Sequence, residues 1–316
     1  MPAARLLALD WGTSSLRAYL LGDGGAVLVS RHQPWGILQL PEGGFPAALQ
    51  RLAGDWLAAT PGLPVLASGM VGSAQGWREV AYAGCPADES ALAAQLLHFE
   101  ALPGVPLHIV PGVRVDGERP DVMRGEETQV IGLLSRQPAL VARCSLLMPG
   151  THSKWVRVQG GAIIGLHTYM TGELYALLAQ HSILGRPARE AAGAMASDAA
   201  PDAAFERGVA AARMHAAGAM PLLFSVRTLV LTGQLAAVDS LQYLSGLLLG
   251  DEIRCALQAD TATGAVLRVL VGDAALCERY RRALAQFGVP SSVAEEGAAA
   301  AGLWRIACRA GLLGMA

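Results

Sequence analysis

Leu6-Leu7-Ala8-Leu9-Asp10-Trp11-Gly12-Thr13-Ser14-Ser15-Leu16-Arg17 runs on to Gly22-Asp23-Gly24-Gly25-Ala26-Val27-Leu28. An apolar run ends on an acid, turns at Gly-Thr-Ser, continues as a second run, turns at Gly-Gly and enters a third. That order reads as strand, tight turn, strand, hairpin, strand. The pattern returns at Leu146-Leu147-Met148-Pro149-Gly150-Thr151-His152-Ser153-Lys154-Trp155, running on to Gly160-Gly161-Ala162-Ile163-Ile164. A glycine beside Thr and Ser leaves backbone N–H groups and hydroxyls free to face a phosphate. Gly12, Thr13 and Ser14 are therefore candidate phosphate ligands, as are Gly150, Thr151, His152, Ser153 and Lys154. Two such turns facing each other would hold a polyphosphate.

The 316 residues suit two domains and are 53% hydrophobic and 16% charged, with a net charge of −2. That balance offers no electrostatic footprint for nucleic acid or an anionic membrane surface. No apolar run reaches the roughly 18 residues of a spanning helix, and Asp10 interrupts the short apolar N-terminal run, so no signal-peptide pattern is present. Cys85, Cys144, Cys255, Cys277 and Cys308 are dispersed without a C-x-x-C, which suits buried reduced thiols in a cytoplasm rather than a zinc site. Lys154 is the sole lysine, and its place in the second glycine turn suggests a use for a compact ammonium there.

Outward from the first triplet, residues 45–57 carry helical spacing and 64–68 read as a buried strand. That strand opens onto the glycine-punctuated loop 69–79, where Gln75, Trp77 and Arg78 are candidate substrate ligands, since strand-end loops gather function. Residues 89–99 read as a helix, 107–110 as a strand, 116–124 as a charged loop and 125–134 as a helix. Pro138 marks a boundary, dividing the chain into an N-terminal lobe of residues 1–138 and a C-terminal lobe of residues 139–316. After the second triplet come a helix from Thr171 to about Leu184, a surface connection over 186–202, and helices near 203–217, 221–231 and 237–256. A strand over 266–271 ends at Gly272-Asp273, followed by a helix to Phe287, a strand over 289–293 and a helix over 297–313. Repetition of this order predicts a two-lobed α/β protein with a cleft between lobes.

This duplicated organisation resembles the sugar kinase, hexokinase, Hsp70 and actin superfamily, whose fold is a duplicated ribonuclease H-like one. Asp10 to Ser14 is similar to its first phosphate motif, Pro149 to Trp155 sits where the second belongs, and Val271-Gly272-Asp273-Ala274 where the adenosine motif belongs. Leu9 to Arg17, Met123-Arg124-Gly125-Glu126-Glu127-Thr128-Gln129, Pro149 to Trp155 and Tyr243-Leu244-Ser245-Gly246-Leu247 further resemble the 2-dehydro-3-deoxygalactonokinase family, over essentially the whole chain. The resemblance implies ATP as co-substrate, with transfer of its γ-phosphate to the 6-hydroxyl of 2-dehydro-3-deoxy-D-galactonate, a step of galactonate breakdown. Many superfamily members carry an acid in the second phosphate motif, where this chain has Met148 and Pro149. Any Mg²⁺ then rests mainly on Asp10, and water-mediated binding by one or two carboxylates is ordinary for that ion.

Arg78, with Arg124 and Lys154 as competitors, would grip the substrate carboxylate, because arginine offers a bidentate fork. The base that accepts the hydroxyl proton is sought among Glu126, Glu127 and Asp121. Adjacent helical residues point about 100° apart, so one of the two glutamates should face the site, and Glu126 is preferred. Glu173 and Glu295-Glu296 also read as acids favouring helix N-termini. The competing readings are an exopolyphosphatase-type phosphohydrolase, which should be more basic, and a nucleotide-driven assembly module. The expected partners are the sugar acid and ATP, with no nucleic acid or membrane. The sequence leaves a homodimer, and the epimer of the sugar acid, open.

Overall fold

A computed structural model describes residues 3–191, 201–259 and 266–313. The first triplet is β1 (Leu6–Trp11), β2 (Leu16–Leu21) and β3 (Val27–Gln33), followed by α1 (Gly44–Ala59) and β4 (Val65–Ser68). Then come β5 (Ala83–Gly84), α2 (Glu89–Ala93), β6 (Leu97–Leu102), β7 (Val105–Ile109), β8 (Val113–Val115), β9 (Asp121–Met123) and α3 (Glu126–Arg136). The second triplet is β10 (Arg143–Met148), β11 (Ser153–Gln159) and β12 (Ala162–Tyr169). Helices α4 (Thr171–His181), α5 (Arg186–Glu190), α6 (Pro201–Met214), α7 (Ser225–Leu231) and α8 (Ser240–Ala259) precede β13 (Leu267–Leu270), α9 (Ala274–Gln286), β14 (Ser292–Val293) and α10 (Ala298–Arg309). Most of the connection expected over 186–202 lies outside the described residues; its start forms α5.

One sheet runs β3-β2-β1-β4-β7-β6 and another β12-β11-β10-β13-β14, with a small third sheet β5-β8-β9. In both large sheets the third, second and first strands of a triplet are followed by the next strand to arrive. The sequence repeat is thus a repeat of sheet order, as the ribonuclease H-like expectation requires. In the first copy β1 lies antiparallel to β2 and parallel to β4, which sets Asp10 opposite Arg17 and beside Ser68. Strand β1 is buried at Leu6, Leu7, Ala8, Leu9 and Trp11, with α1 covering one face through Leu49, Leu52 and Trp56. Fully covered strands of this kind read as continuous apolar runs, as Leu6 to Leu9 do.

Two local expectations are corrected. The helix expected over 89–99 stops at Ala93, and Leu97–Leu102 pairs antiparallel with β7 instead. Asp88 caps the short helix by accepting from the Ser90 and Ala91 amides, and alternating burial from Leu97 to Ala101 marks the strand. The loop expected over 116–124 contains β9, so Asp121 sits on a strand paired with β8.

The chain forms two compact units. One comprises residues 1–144, 156–166 and 295–316; the other comprises 145–155 and 167–294. The boundary therefore differs from a single cut after residue 138. Helix α10 returns to the first unit because it packs on α3 with backbones almost touching: a Cβ on Gly302 would lie 1.8 Å from the Thr128 carbonyl oxygen, and one on Gly132 1.9 Å from that of Ala298. Residues 156–166 join it through paired backbone bonds between Ala87 and Ile163. The second unit has its own core of Leu147, Trp155, Phe205, Val209, Ile253, Leu270 and Tyr280. No helix among the described residues is long and apolar enough to cross a membrane, and all five cysteines are free thiols.

Candidate active site

In the first unit the candidate residues converge on the carboxyl ends of β1 and β4. Gly69 follows β4 with φ +97°, and a Cβ there would meet the Trp11 carbonyl oxygen at 2.7 Å. Gly125, with φ +108°, precedes α3, and its Cβ would come 3.1 Å from the Gly69 Cα. Only glycine permits both the positive φ and the approach. The N-terminus of α3, with Glu126 and Glu127, is thereby held against the strand ends that carry Asp10 and the first glycine turn. In that turn the Gly12 amide donates to the Ser15 carbonyl, while Thr13 and Ser14 are exposed. Gly36 lies against it so closely that a Cβ would fall 2.1 Å from the Thr13 oxygen, and the Ile37 and Leu38 amides donate to the Gly12 and Thr13 carbonyls. This supporting strap was not singled out from sequence; an isolated glycine in an otherwise unpatterned Pro34–Leu40 segment was its only signal.

Asp10 is 20% exposed, and its nearest cation is Arg17, 3.9 Å away. Burial raises its pKa from the usual aspartate value, and the Arg17 guanidinium offsets this in part. Among the described residues no three His, Cys, Asp or Glu side chains form a metal cluster. A cation here would depend on Asp10, ligand oxygens and water, a donor set that suits Mg²⁺.

The two glutamates of α3 are in different surroundings. Glu127 is fully buried; its carboxylate accepts from the Gly125 amide at 2.7 Å and from the Thr128 hydroxyl at 3.1 Å. Burial, and then the neighbouring charge of Glu126, push its pKa up to about 8. Glu126 is half-buried and accepts from the Arg124 amide at 3.0 Å. An accessible acid can meet a substrate hydroxyl, whereas a sealed and largely protonated one holds backbone.

Loop 69–80 is anchored rather than loose. Trp77 stacks on Phe45 at 5.5 Å and meets Trp11 and Phe99 edge-on, so its indole serves packing. Gln75 is exposed, and Arg78, also exposed, lies over Phe99. Arg124 is buried, with its guanidinium 4.2 Å over the Tyr82 ring and Nη2 donating to the Val80 carbonyl. Its Nε and Nη1 have no acceptor among the described residues.

In the second unit, Gly150 and Thr151 lie in the turn between β10 and β11. The start of α4 is pressed onto this turn, since a Cβ on Gly172 would lie 2.5 Å from the Gly150 oxygen. His152 is exposed and hydrogen-bonded to Glu173. The other two polar residues of the motif point inward. Ser153 is fully buried, its hydroxyl 2.7 Å from that of Tyr280. Lys154 is buried and donates to the Thr168 hydroxyl at 2.9 Å. Glu252, buried, accepts from the Tyr280 hydroxyl and the Trp155 indole, and burial raises its pKa. Glu252 and Tyr280 were missed in sequence; the one signal was the Asp251-Glu252 pair following the apolar run Leu247 to Leu249 in α8. Gly272, at φ +146°, sits against Pro149 at the end of β13. Asp273 caps α9 by accepting from the Leu276 amide at 2.9 Å. The second glycine turn, α4, α8 and α9 line an open cavity of about 240 Å³.

The family profile described as 2-keto-3-deoxy-galactonokinase matches residues 10–306. A probable 2-dehydro-3-deoxygalactonokinase of Rhizobium meliloti is 41% identical, with 89% of each chain covered. The 2-dehydro-3-deoxygalactonokinase of Escherichia coli is 36% identical, with 96% of this chain and 98% of that one covered. A solved structure of a Sinorhizobium meliloti protein of this family superposes with a TM-score of 0.85 at 37% identity, over 96% and 98% of the two chains. At 13% identity, component A of the (R)-2-hydroxyglutaryl-CoA dehydratase of Acidaminococcus fermentans shares the fold, with a TM-score of 0.51, 98% of this chain and 100% of that one covered. With its profile matched from Asp10 to Ile306, the chain belongs to the 2-keto-3-deoxy-galactonokinase family.

Proposed function

We propose that this chain transfers the γ-phosphate of Mg·ATP to the 6-hydroxyl of 2-dehydro-3-deoxy-D-galactonate, a step of galactonate breakdown. It is a phosphotransferase with an alcohol acceptor. The observation that carries the reading is identity with curated 2-dehydro-3-deoxygalactonokinases along nearly the whole chain. Nothing favours the polyphosphate hydrolase or the assembly module.

Within the first unit, Glu126 is the base: it is half-buried, at a helix start, beside the strand ends that carry Asp10. Phosphoryl transfer depends mainly on positioning and charge neutralisation, with one carboxylate to accept the hydroxyl proton. Asp10 would hold a hydrated Mg²⁺, which would supply neutralisation of charge on the phosphates. Thr13 and Ser14 present the first turn to phosphate, and Gly12 closes that turn through its amide bond to the Ser15 carbonyl. In the second unit Gly150, Thr151 and His152 present the second turn, with Gly272 and Asp273 at the nucleoside end. Ser153 and Lys154 support that turn from inside.

The substrate carboxylate is assigned to Arg124, with Arg78 as the rim cation. A buried guanidinium with unmet donors is costly unless an anion completes it. Losing a charge-assisted hydrogen bond costs about 1.5–3 kcal/mol, so Arg124→Ala should raise the sugar-acid KM roughly 10–150-fold and leave the KM for ATP unchanged. Arg124→Lys should restore part of the loss. The opposite ranking, with Arg78→Ala the damaging change, returns the task to Arg78. For the transfer itself, the 6-deoxy analogue of the sugar acid should inhibit competitively and accept no phosphate; phosphorylation of that analogue would refute the assigned hydroxyl.

A further inference from the structure

The motif Tyr243 to Leu247 has a structural consequence for Arg279. Helix α8 is drawn onto α6 at Gly246, where a Cβ would lie 1.9 Å from the Phe205 carbonyl oxygen, and a Cβ on Gly208 of α6 would lie 2.2 Å from the Tyr243 carbonyl oxygen. This approach brings Phe205 and Ser245 to one guanidinium. Arg279 of α9 lies 4.3 Å over the Phe205 ring, donates from Nη2 to the Ser245 hydroxyl at 2.9 Å, and from Nη1 to the Gln242 side-chain oxygen at 2.9 Å. Both acceptors are neutral, so the hydrogen bonds fix the group without neutralising it. Arg279 lines the 240 Å³ cavity together with Tyr175, Leu249, Leu276 and, from the second glycine turn, Gly150. Ligand pockets run to roughly 300–1,000 Å³ for a whole drug-sized molecule, so this one takes a fragment.

We propose that Arg279 is the residue that holds the adenine base of ATP, stacking its fixed guanidinium on the ring between the apolar walls of Leu249 and Leu276. Gln242 and Ser245 are its positioning residues. The inference rests on the kinase reading, which supplies the nucleotide. A planar guanidinium sandwiched on one aromatic face is suited to carry a second π system on the other. With its Nη donors engaged, it has less to offer the phosphates.

The test is competition against a fluorescent ATP analogue by adenosine, ATP and inorganic tripolyphosphate. Arg279→Ala should weaken adenosine and ATP roughly 5–30-fold, leave tripolyphosphate unchanged, and leave the sugar-acid KM unchanged. Ser245→Ala, which keeps the guanidinium but loosens it, should shift adenosine in the same direction by less. Arg279→Lys keeps charge without the plane and should resemble Arg279→Ala; it also serves if the alanine variant folds poorly. Unchanged adenosine affinity in a folded Arg279 variant overturns the proposal. Equal weakening of tripolyphosphate overturns it too, since the guanidinium would then serve phosphate. Failure of the kinase reading shows separately, as a wild-type protein that releases no ADP with sugar acid.

Discussion

Glu127→Gln should change how stability depends on pH more than it changes catalysis. Glu127 is sealed in the first turn of α3 and its pKa is pushed up to about 8, against 4.5 for an ordinary glutamate. A carboxyl whose pKa is higher folded than unfolded binds its proton more tightly in the native state. Its contribution is complete below pH 4.5, falls as pH rises, and is fully lost above pH 8. Each pH unit of that span is worth roughly 1.4 kcal/mol, so between pH 5 and pH 9 the native state loses on the order of 4 kcal/mol at this site. Glutamine keeps the shape, still accepts from the Gly125 amide, and never ionises. Urea unfolding of the two proteins from pH 5 to pH 9 should therefore give curves that diverge, with the variant gaining several kcal/mol relative to wild type at the alkaline end. Parallel curves would refute the argument: either the carboxyl is solvated or another cation neutralises it.

Three further outcomes follow from the same geometry. Asp10→Asn should abolish most turnover with the melting temperature nearly unchanged; near-normal activity at low Mg²⁺ would reject Asp10 as the metal residue. Glu126→Gln should lower kcat about 10²–10⁴-fold with ATP affinity intact, and an active variant would move the base to Asp121. Tyr280→Phe removes the hydroxyl that serves both Glu252 and Ser153, leaving buried groups short of a partner; a loss of about 1–3 kcal/mol in unfolding free energy is expected, and no loss would mean the network is solvated.

Strand triplets were legible because Gly-Thr-Ser between apolar runs, and Gly-Gly before a third, leave few alternatives to a hairpin. Their repetition disclosed the duplicated sheet order. The helix expected over 89–99 is present only as far as Ala93; the end of the stretch was not legible, because its leucines suit a helix and only pairing with β7, made by the rest of the fold, decides for strand from Leu97. Helix α10 likewise shows its partner only in space, through Gly302 against α3. At the site, the motif spacing located the turns but not the direction of each side chain. Ser153 and Lys154 read as ligands because they follow Gly-Thr, yet both begin β11 and are buried there. The contrast between Glu126 and Glu127 follows from adjacent helical positions facing different ways, one half-buried and one sealed.

The central claim is most directly tested by measuring ADP release by the purified protein with Mg·ATP across a panel of 2-keto-3-deoxy sugar acids, with a no-acid control and with inorganic polyphosphate alone. ADP formation should require the sugar acid, be highest with 2-dehydro-3-deoxy-D-galactonate, and yield an equal amount of its 6-phosphate. ADP release at the same rate without any acid, or phosphate release from polyphosphate alone, would contradict it.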